Sequence, residues 1–171
     1  MKADIATAAH VPAHPTNRRR FTPAALAVVI LALGAALSAC IPGEPGEIAS
    51  DHALEQVGRP YTSGGSSPET GFDCSGLTSY AWGQAGVKSM PRSSSAQYQW
   101  TERITRDELK PGDLVFYGYS GSVGHVAIYV GNDSIVQARN SRYPVEKSDI
   151  NTYWTNNLIG YGRIPAYAMP D

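Results

Sequence analysis

The sequence predicts an α+β domain, with helices in the first half and a small antiparallel sheet in the second. Three observations carry this. Apolar residues recur at helical spacing up to Trp100, strand-like runs between turn signals take over after Asp113, and no internal repeat interrupts the order.

The first forty residues stand apart from that domain. Arg18, Arg19 and Arg20 form a basic cluster, an apolar run of about 14 residues from Ala24 to Leu37 follows, and Leu37-Ser38-Ala39 leads into Cys40. A membrane-spanning helix needs roughly 20 apolar residues, so the run fits the core of an export signal better than an uncleaved anchor. The succession reads as a lipoprotein processing site. Residues 1–39 are then a signal peptide, Cys40 is the lipidated start of the mature chain, and 40–46 is a Pro/Gly-rich tether that lets the domain work close to its membrane. Such a chain is expected on the extracytoplasmic side. Ile41 stands where an aspartate would resemble an inner-membrane retention signal, so the expectation is the outer membrane in a two-membrane bacterium and the cell surface otherwise.

Past Cys40 about 130 residues remain, room for one catalytic-sized domain, 47–171, and not for a second module. The formal net charge is −1, and losing the basic leader leaves the mature part mildly acidic without any basic run. Nucleic acid is therefore a poor partner.

The elements follow in order. Ile48, Ala49, Ala53, Leu54 and Val57 recur at helical spacing, which predicts a short helix over Glu47–Val57 closed by Gly58-Arg59-Pro60. From Tyr61 to Phe72 the Gly/Ser/Pro content predicts an irregular loop of the kind that lines sites. Asp73 then caps a helix whose apolar face is Cys74, Leu77, Thr78, Ala81, Trp82 and Ala85, ending near Gly86. Ser93 to Trp100 reads as a further short helix. Pro111-Gly112-Asp113 turns the chain into a strand over Leu114–Tyr117, and a Gly/Ser-rich loop is expected from Gly118 to Gly124. His125–Val130 and Ser134–Arg139 flank Gly131-Asn132-Asp133, a hairpin signal, and Leu158–Ile164 reads as the last strand.

The chain has only two cysteines, each in its own motif, which argues against a structural disulfide. Cys74, in Asp73-Cys74-Ser75-Gly76-Leu77, is placed at a helix N-terminus, where the partial positive charge and open N–H groups favour a thiolate. N–H groups near Ser75 would serve an acyl-transfer oxyanion. A buried, inert cysteine on the helix's apolar face is the competing reading. The mature chain has two histidines, and His125 at a strand start is the better base, while His52 lies among polar residues of the first helix. Folding the hairpin sets Gln137 roughly opposite His125, where its carbonyl would orient the ring without adding charge. Tyr61 borders the loop ahead of Cys74. The Cys and His content lacks paired spacing for zinc, and the carboxylates form no persuasive glycosidase pair, so no metal or cofactor is expected.

Four ordered motifs carry a resemblance to the NlpC/P60 family of cell-wall cysteine peptidases. They are Gly58-Arg59-Pro60-Tyr61 leading to Gly64-Gly65, then Gly71-Phe72-Asp73-Cys74-Ser75-Gly76-Leu77, then Leu109-Lys110-Pro111-Gly112-Asp113-Leu114-Val115-Phe116, and finally His125-Val126-Ala127-Ile128-Tyr129-Val130-Gly131. The resemblance implies a papain-like α+β fold, Cys74 as nucleophile, His125 as base, and Gln137 at a third polar position where the family commonly has histidine. It implies Tyr61, Asp73 and Ser75 around the bound peptide, and hydrolysis of peptidoglycan stem peptides at the D-glutamyl–diamino acid bond. An N-acetylmuramoyl-L-alanine amidase or related acyl-transfer enzyme, and a non-catalytic wall-binding lipoprotein, stay open as alternatives.

Overall fold

The computed structural model describes residues 43–150 and 155–170. Cys40 and the leader before it lie outside the described residues. Among the described residues three α-helices precede most of the sheet, the order the sequence predicts: α1 (Pro45–Leu54), α2 (Cys74–Gln84) and α3 (Ser94–Trp100). Short strands β1 (Ser66–Ser67) and β2 (Gly71–Phe72) pair antiparallel between α1 and α2. The main sheet contains β3 (Glu102–Ile104), β4 (Leu114–Tyr119), β5 (Ser122–Tyr129), β6 (Ser134–Gln137), β7 (Glu146–Asp149) and β8 (Leu158–Arg163). Its order is β3-β8-β4-β5-β6-β7, and every pairing is antiparallel. Among the described residues, no helix is long and apolar enough to cross a membrane.

Helix α1 starts earlier and stops earlier than its periodicity predicts. Pro45 takes an opening helical position, where its missing N–H costs nothing, so Pro45 and Gly46 belong to the first turn and not to the tether. Gly46 also presses on the Pro111 carbonyl, 2.3 Å from where a Cβ would stand. At the other end Gly58 donates to Val145 O and Val145 donates to Arg59 O, which draws the chain off the helix and leaves Val57 46% exposed. The predicted loop before Cys74 holds regular pieces: β1, β2 and an isolated bridge between Tyr61 and Phe72.

Two apolar clusters use the two faces of the sheet. Leu114, Phe116, Val126, Ile128, Val136 and Ala138 pack with Ala49, Ala53, Leu77, Ala81 and Trp82 of the helices. Val115, Tyr117, Ala127, Ile135 and Ile150 form the other cluster. Strand alternation sets His125 on the Ala127 side, while Val126 turns to the helices.

The stretch Gly118–Gly124 is not a loop. Ser120 and Gly121 both sit at positive φ, 51° and 78°, and make a two-residue turn between β4 and β5. Tyr117 pairs with His125 but Gly118 pairs with Val123, so Gly124 is the extra residue of a bulge. His125 therefore lies inside β5, three residues past its start, and not at its opening.

Candidate active site

Asp73 caps α2: its Oδ1 accepts from the Gly76 N–H at 2.7 Å, as the sequence predicts. Gly76 is required here, because a Cβ would stand 2.0 Å from the Gly65 carbonyl oxygen. That close approach brings the loop onto the helix start. The other carboxylate oxygen, Oδ2, accepts from the Gly64 N–H at 3.0 Å. Arg92 closes the arrangement: it donates to Asp73 Oδ1 at 2.9 Å and Oδ2 at 2.8 Å, to Ser75 Oγ at 3.0 Å and to Gly65 O at 3.3 Å. The Ser75 hydroxyl donates to Asp73 Oδ1 at 3.3 Å. Five donors thus converge on one carboxylate. Burial raises the Asp73 pKa, but the Arg92 and Gly76 hydrogen bonds, the Arg92 charge and the Gly64 N–H outweigh it and hold the group below the usual aspartate range.

Behind this cap, Gln97 of α3 is fully buried and saturated. It accepts from Thr78 Oγ1 at 2.9 Å, and its NH2 shares two N–H groups among Ser75 O, Ser79 Oγ and Pro91 O at 3.1, 3.0 and 2.9 Å. Neither Arg92 nor Gln97 is evident from sequence, because the contacts that tie each to the helix cap reach back 17 to 27 positions. The one local signal is Ser93, which caps α3 between them through its bond from Ala96 N.

Cys74 is half-buried at the first turn of α2, where the backbone of Val126 and of Ser75 favours the thiolate. Helix and sheet meet at this thiol, for Val126 directly follows His125. The helix start was expected to lower the thiol pKa. Instead burial raises it above its ordinary value, and the neighbouring Asp73 charge adds to this, more than the hydrogen bonds to sulfur recover. Tyr61 stands within the field of both groups: burial first, then the Cys74 and Asp73 charges, raise its phenol pKa, so it remains a donor.

His125 Nε2 meets Gln137 Oε1 at 2.8 Å. The contact is diagonal: Ile128 pairs with Val136 and Tyr129 with Ile135, a register that continues with Ala127, not His125, opposite Gln137. Gln137 Nε2 donates to Ser148 Oγ at 2.9 Å and to Glu146 Oε1 at 3.5 Å, and the carboxylate, which can only accept, sets the amide oxygen toward the ring. The Nε2 position of His125 then carries the proton and Nδ1 the lone pair, the tautomer a general base needs. Burial lowers the His125 pKa to about 4, against a smaller opposing effect of Gln137 and with the Arg139 charge assisting. Burial thus favours the neutral form of both groups. His52, in contrast, lies on α1 with its Nδ1 3.0 Å from Glu55 Oε2, away from this cluster.

A family model described as "NlpC/P60 family" matches residues 58–163. The chain belongs to the NlpC/P60 family. It is 43% identical over 113 residues to a probable endopeptidase p60 of Listeria welshimeri, covering 66% of this chain and 21% of that one. It is 42% identical over 122 residues to the bifunctional muramidase/DL-endopeptidase CwlT of Bacillus subtilis, covering 69% and 36%. The chain thus spans about a fifth to a third of the length of these relatives. A crystal structure of a protein similar to lipoprotein, NLP/P60 family, from Staphylococcus aureus superposes with a TM-score of 0.63 at 35% identity, covering 77% of this chain and 43% of that one. The α+β class is the one these NlpC/P60 structures share. All four sequence motifs fall within the family's span or at its edge, and Cys74, His125, Gln137, Tyr61, Asp73 and Ser75 lie inside it. Among the described residues, no group of three or more His, Cys, Asp or Glu side chains has the arrangement to hold a metal ion. A cavity of about 730 Å³ between Trp82, Pro111 and Arg163 includes neither Cys74 nor His125 among its lining residues.

Proposed function

We propose that this chain is a peptidoglycan hydrolase: a cysteine endopeptidase that cuts stem peptides at the D-glutamyl–diamino acid bond. The single observation that carries the reading is the placing of the Cys74 thiol at the start of α2, which packs on β5, with His125 of β5 held by Gln137 in its base tautomer. The family membership and the printed DL-endopeptidase activity of CwlT support it.

The chemistry follows from the geometry. His125 Nδ1 takes the Cys74 proton as the sulfur attacks the peptide carbonyl, and the oxyanion forms beside the N–H groups at the start of α2. Imidazolium then gives that proton to the leaving amine. Water, deprotonated by the same nitrogen, hydrolyses the thioester and restores both groups. Because burial favours the neutral forms, the ion pair forms as the substrate arrives, and excluding water then strengthens it.

Upstream, we infer that Cys40 carries lipid and tethers the domain on the extracytoplasmic side of a membrane, on the motif before it. Mass spectrometry of the membrane fraction reads this; an unmodified Cys40 with residues 1–39 still attached removes it.

Liquid chromatography of digested wall tests the bond. Fragments cut within the stem peptide, with glycan strands and lactyl-alanine amides whole, are expected. Cleavage at the lactyl-alanine amide would assign an amidase instead, and unchanged wall with an intact Cys74 a binding protein.

A further inference from the structure

Behind the imidazole, β6 and β7 pair with Gln137 directly opposite Glu146. The Gln137 amide faces two ways. Its oxygen accepts from His125 at 2.8 Å, and its nitrogen donates to Ser148 Oγ at 2.9 Å and to Glu146 Oε1 at 3.5 Å. The same Glu146 oxygen meets the buried Nε of Arg139 at 3.3 Å. A line therefore runs from imidazole to amide to carboxylate to guanidinium. Turning the amide over would set its NH2 against the imidazole N–H and its oxygen against a carboxylate, so Glu146 enforces the orientation the base requires.

We propose that Glu146 is a positioning residue of the Cys74–His125 pair, delivering through the Gln137 amide the negative charge that a neutral third group lacks. It touches neither substrate nor thiol. A carboxylate on the NH2 side polarises the amide and enriches the oxygen that faces the imidazole, and hydrogen bonds in such a chain strengthen one another. The charged groups around His125 make this consequential. Tyr117 faces it from β4 with ring centroids 6.0 Å apart, the Arg139 charge acts on it from beyond β6, and Glu146 reaches it from β7 through the amide. Tyr117 stays neutral, since burial pushes its pKa far up. Arg139 opposes the imidazolium, and Glu146 is the carboxylate that offsets Arg139. When the proton moves from Cys74 Sγ to His125 Nδ1, the site holds a thiolate and an imidazolium, and the charge behind Gln137 stabilises the latter.

The inference rests on the Cys74–His125 reading above, and its test needs no substrate. Iodoacetamide alkylates the thiolate, and peptide-resolved mass spectrometry of the full chain separates Cys74 from Cys40. Glu146→Gln keeps the shape and is expected to slow Cys74 alkylation near neutral pH by about 3–10-fold, yet by less than about twofold in a Gln137→Ala background. Equal slowing in both backgrounds, or none in the intact chain, overturns the proposal. Arg139→Gln supplies an independent sign: removing the opposing cation should speed alkylation, and an unchanged or slower rate counts against it. A chain that leaves cell wall intact while these rates behave as stated would remove the hydrolase reading and leave this one standing.

Discussion

On the helix flank of Cys74, Arg92 grips Asp73 with two bonds of 2.9 and 2.8 Å, while on the sheet flank His125 meets a neutral amide at 2.8 Å. Exposure follows the same division. Arg92 and Asp73 side chains are 48% and 17% exposed, whereas His125 and Gln137 are 8% and 1% exposed. A full ion pair is inexpensive where water reaches it and costs several kcal/mol per ion where it does not. The molecule thus sets an ion pair directly on the cap of the thiol's helix, and gives the imidazole a neutral amide as its direct partner, with the Arg139–Glu146 pair one residue further back. In the proposed mechanism one flank is architecture, and the other changes state in every cycle.

The contrast is broken or sharpened by substitutions on each side. Cys74→Ala should abolish stem-peptide cleavage, because no covalent intermediate forms, and His125→Ala should cost about 10³-fold or more in kcat. Kinetics on a defined peptide, with folding checked, decide this; turnover by His125→Ala at the native rate would overturn the assignment.

The next effect is on stability against pH. His125 has its folded pKa lowered to about 4, so its burial is tolerated fully above the unfolded value near 6.5, and that stability is lost as pH falls through the window toward the folded value. The loss is about 3 kcal/mol between neutral pH and pH 4. Urea unfolding at both pH values should show a drop of that order that His125→Gln lacks. A drop of equal size in that variant would assign the acid sensitivity elsewhere.

Gln137→Ala comes third, with kcat reduced about 10–100-fold, below the roughly 10⁴-fold effect of a carboxylate orienter in a serine triad. Gln137→His should be tolerated. Full activity of the alanine variant would take Gln137 out of the mechanism. Arg92→Ala is the smallest, about 1 kcal/mol at neutral pH because the pair is half exposed. Asp73 carries a lowered pKa, so that difference is present above the unfolded aspartate value and shrinks as acid protonates the carboxylate. Thermal melts of both proteins at neutral and acid pH read it directly.

How much of this was legible depends on the range over which each feature is encoded. Helix α2 and its cap are written in consecutive residues, and the Asp73 cap and the helical spacing from Cys74 to Ala85 point to it without ambiguity. Strands β3 and β7, three and four residues of mostly charged or polar character, carry no period to detect. The Gly118–Gly124 stretch looks like a loop because glycine composition does not distinguish a loop from a tight turn plus a bulge, which only the pairing with β4 separates. Gln137 was found through the hairpin, though at a diagonal register. Arg92, Gln97 and Glu146 lay beyond reach, since a side chain that crosses to another element leaves no local pattern. The thiol pKa departs from expectation for a related reason: a helix terminus is local, but the burial that outweighs it is set by the folded surroundings.

The two outer strands of the sheet have a further consequence for a protein crowded among its own copies. If β7 met β7 of a second copy in a symmetric antiparallel register, Glu146 would stand opposite Asp149 twice over; if β3 met β3, Arg103 would face Arg103. Like charges directly opposed destabilise a strand pair. Among the described residues, each outer strand is therefore a poor template for itself, which hinders the sheet from growing end to end between copies.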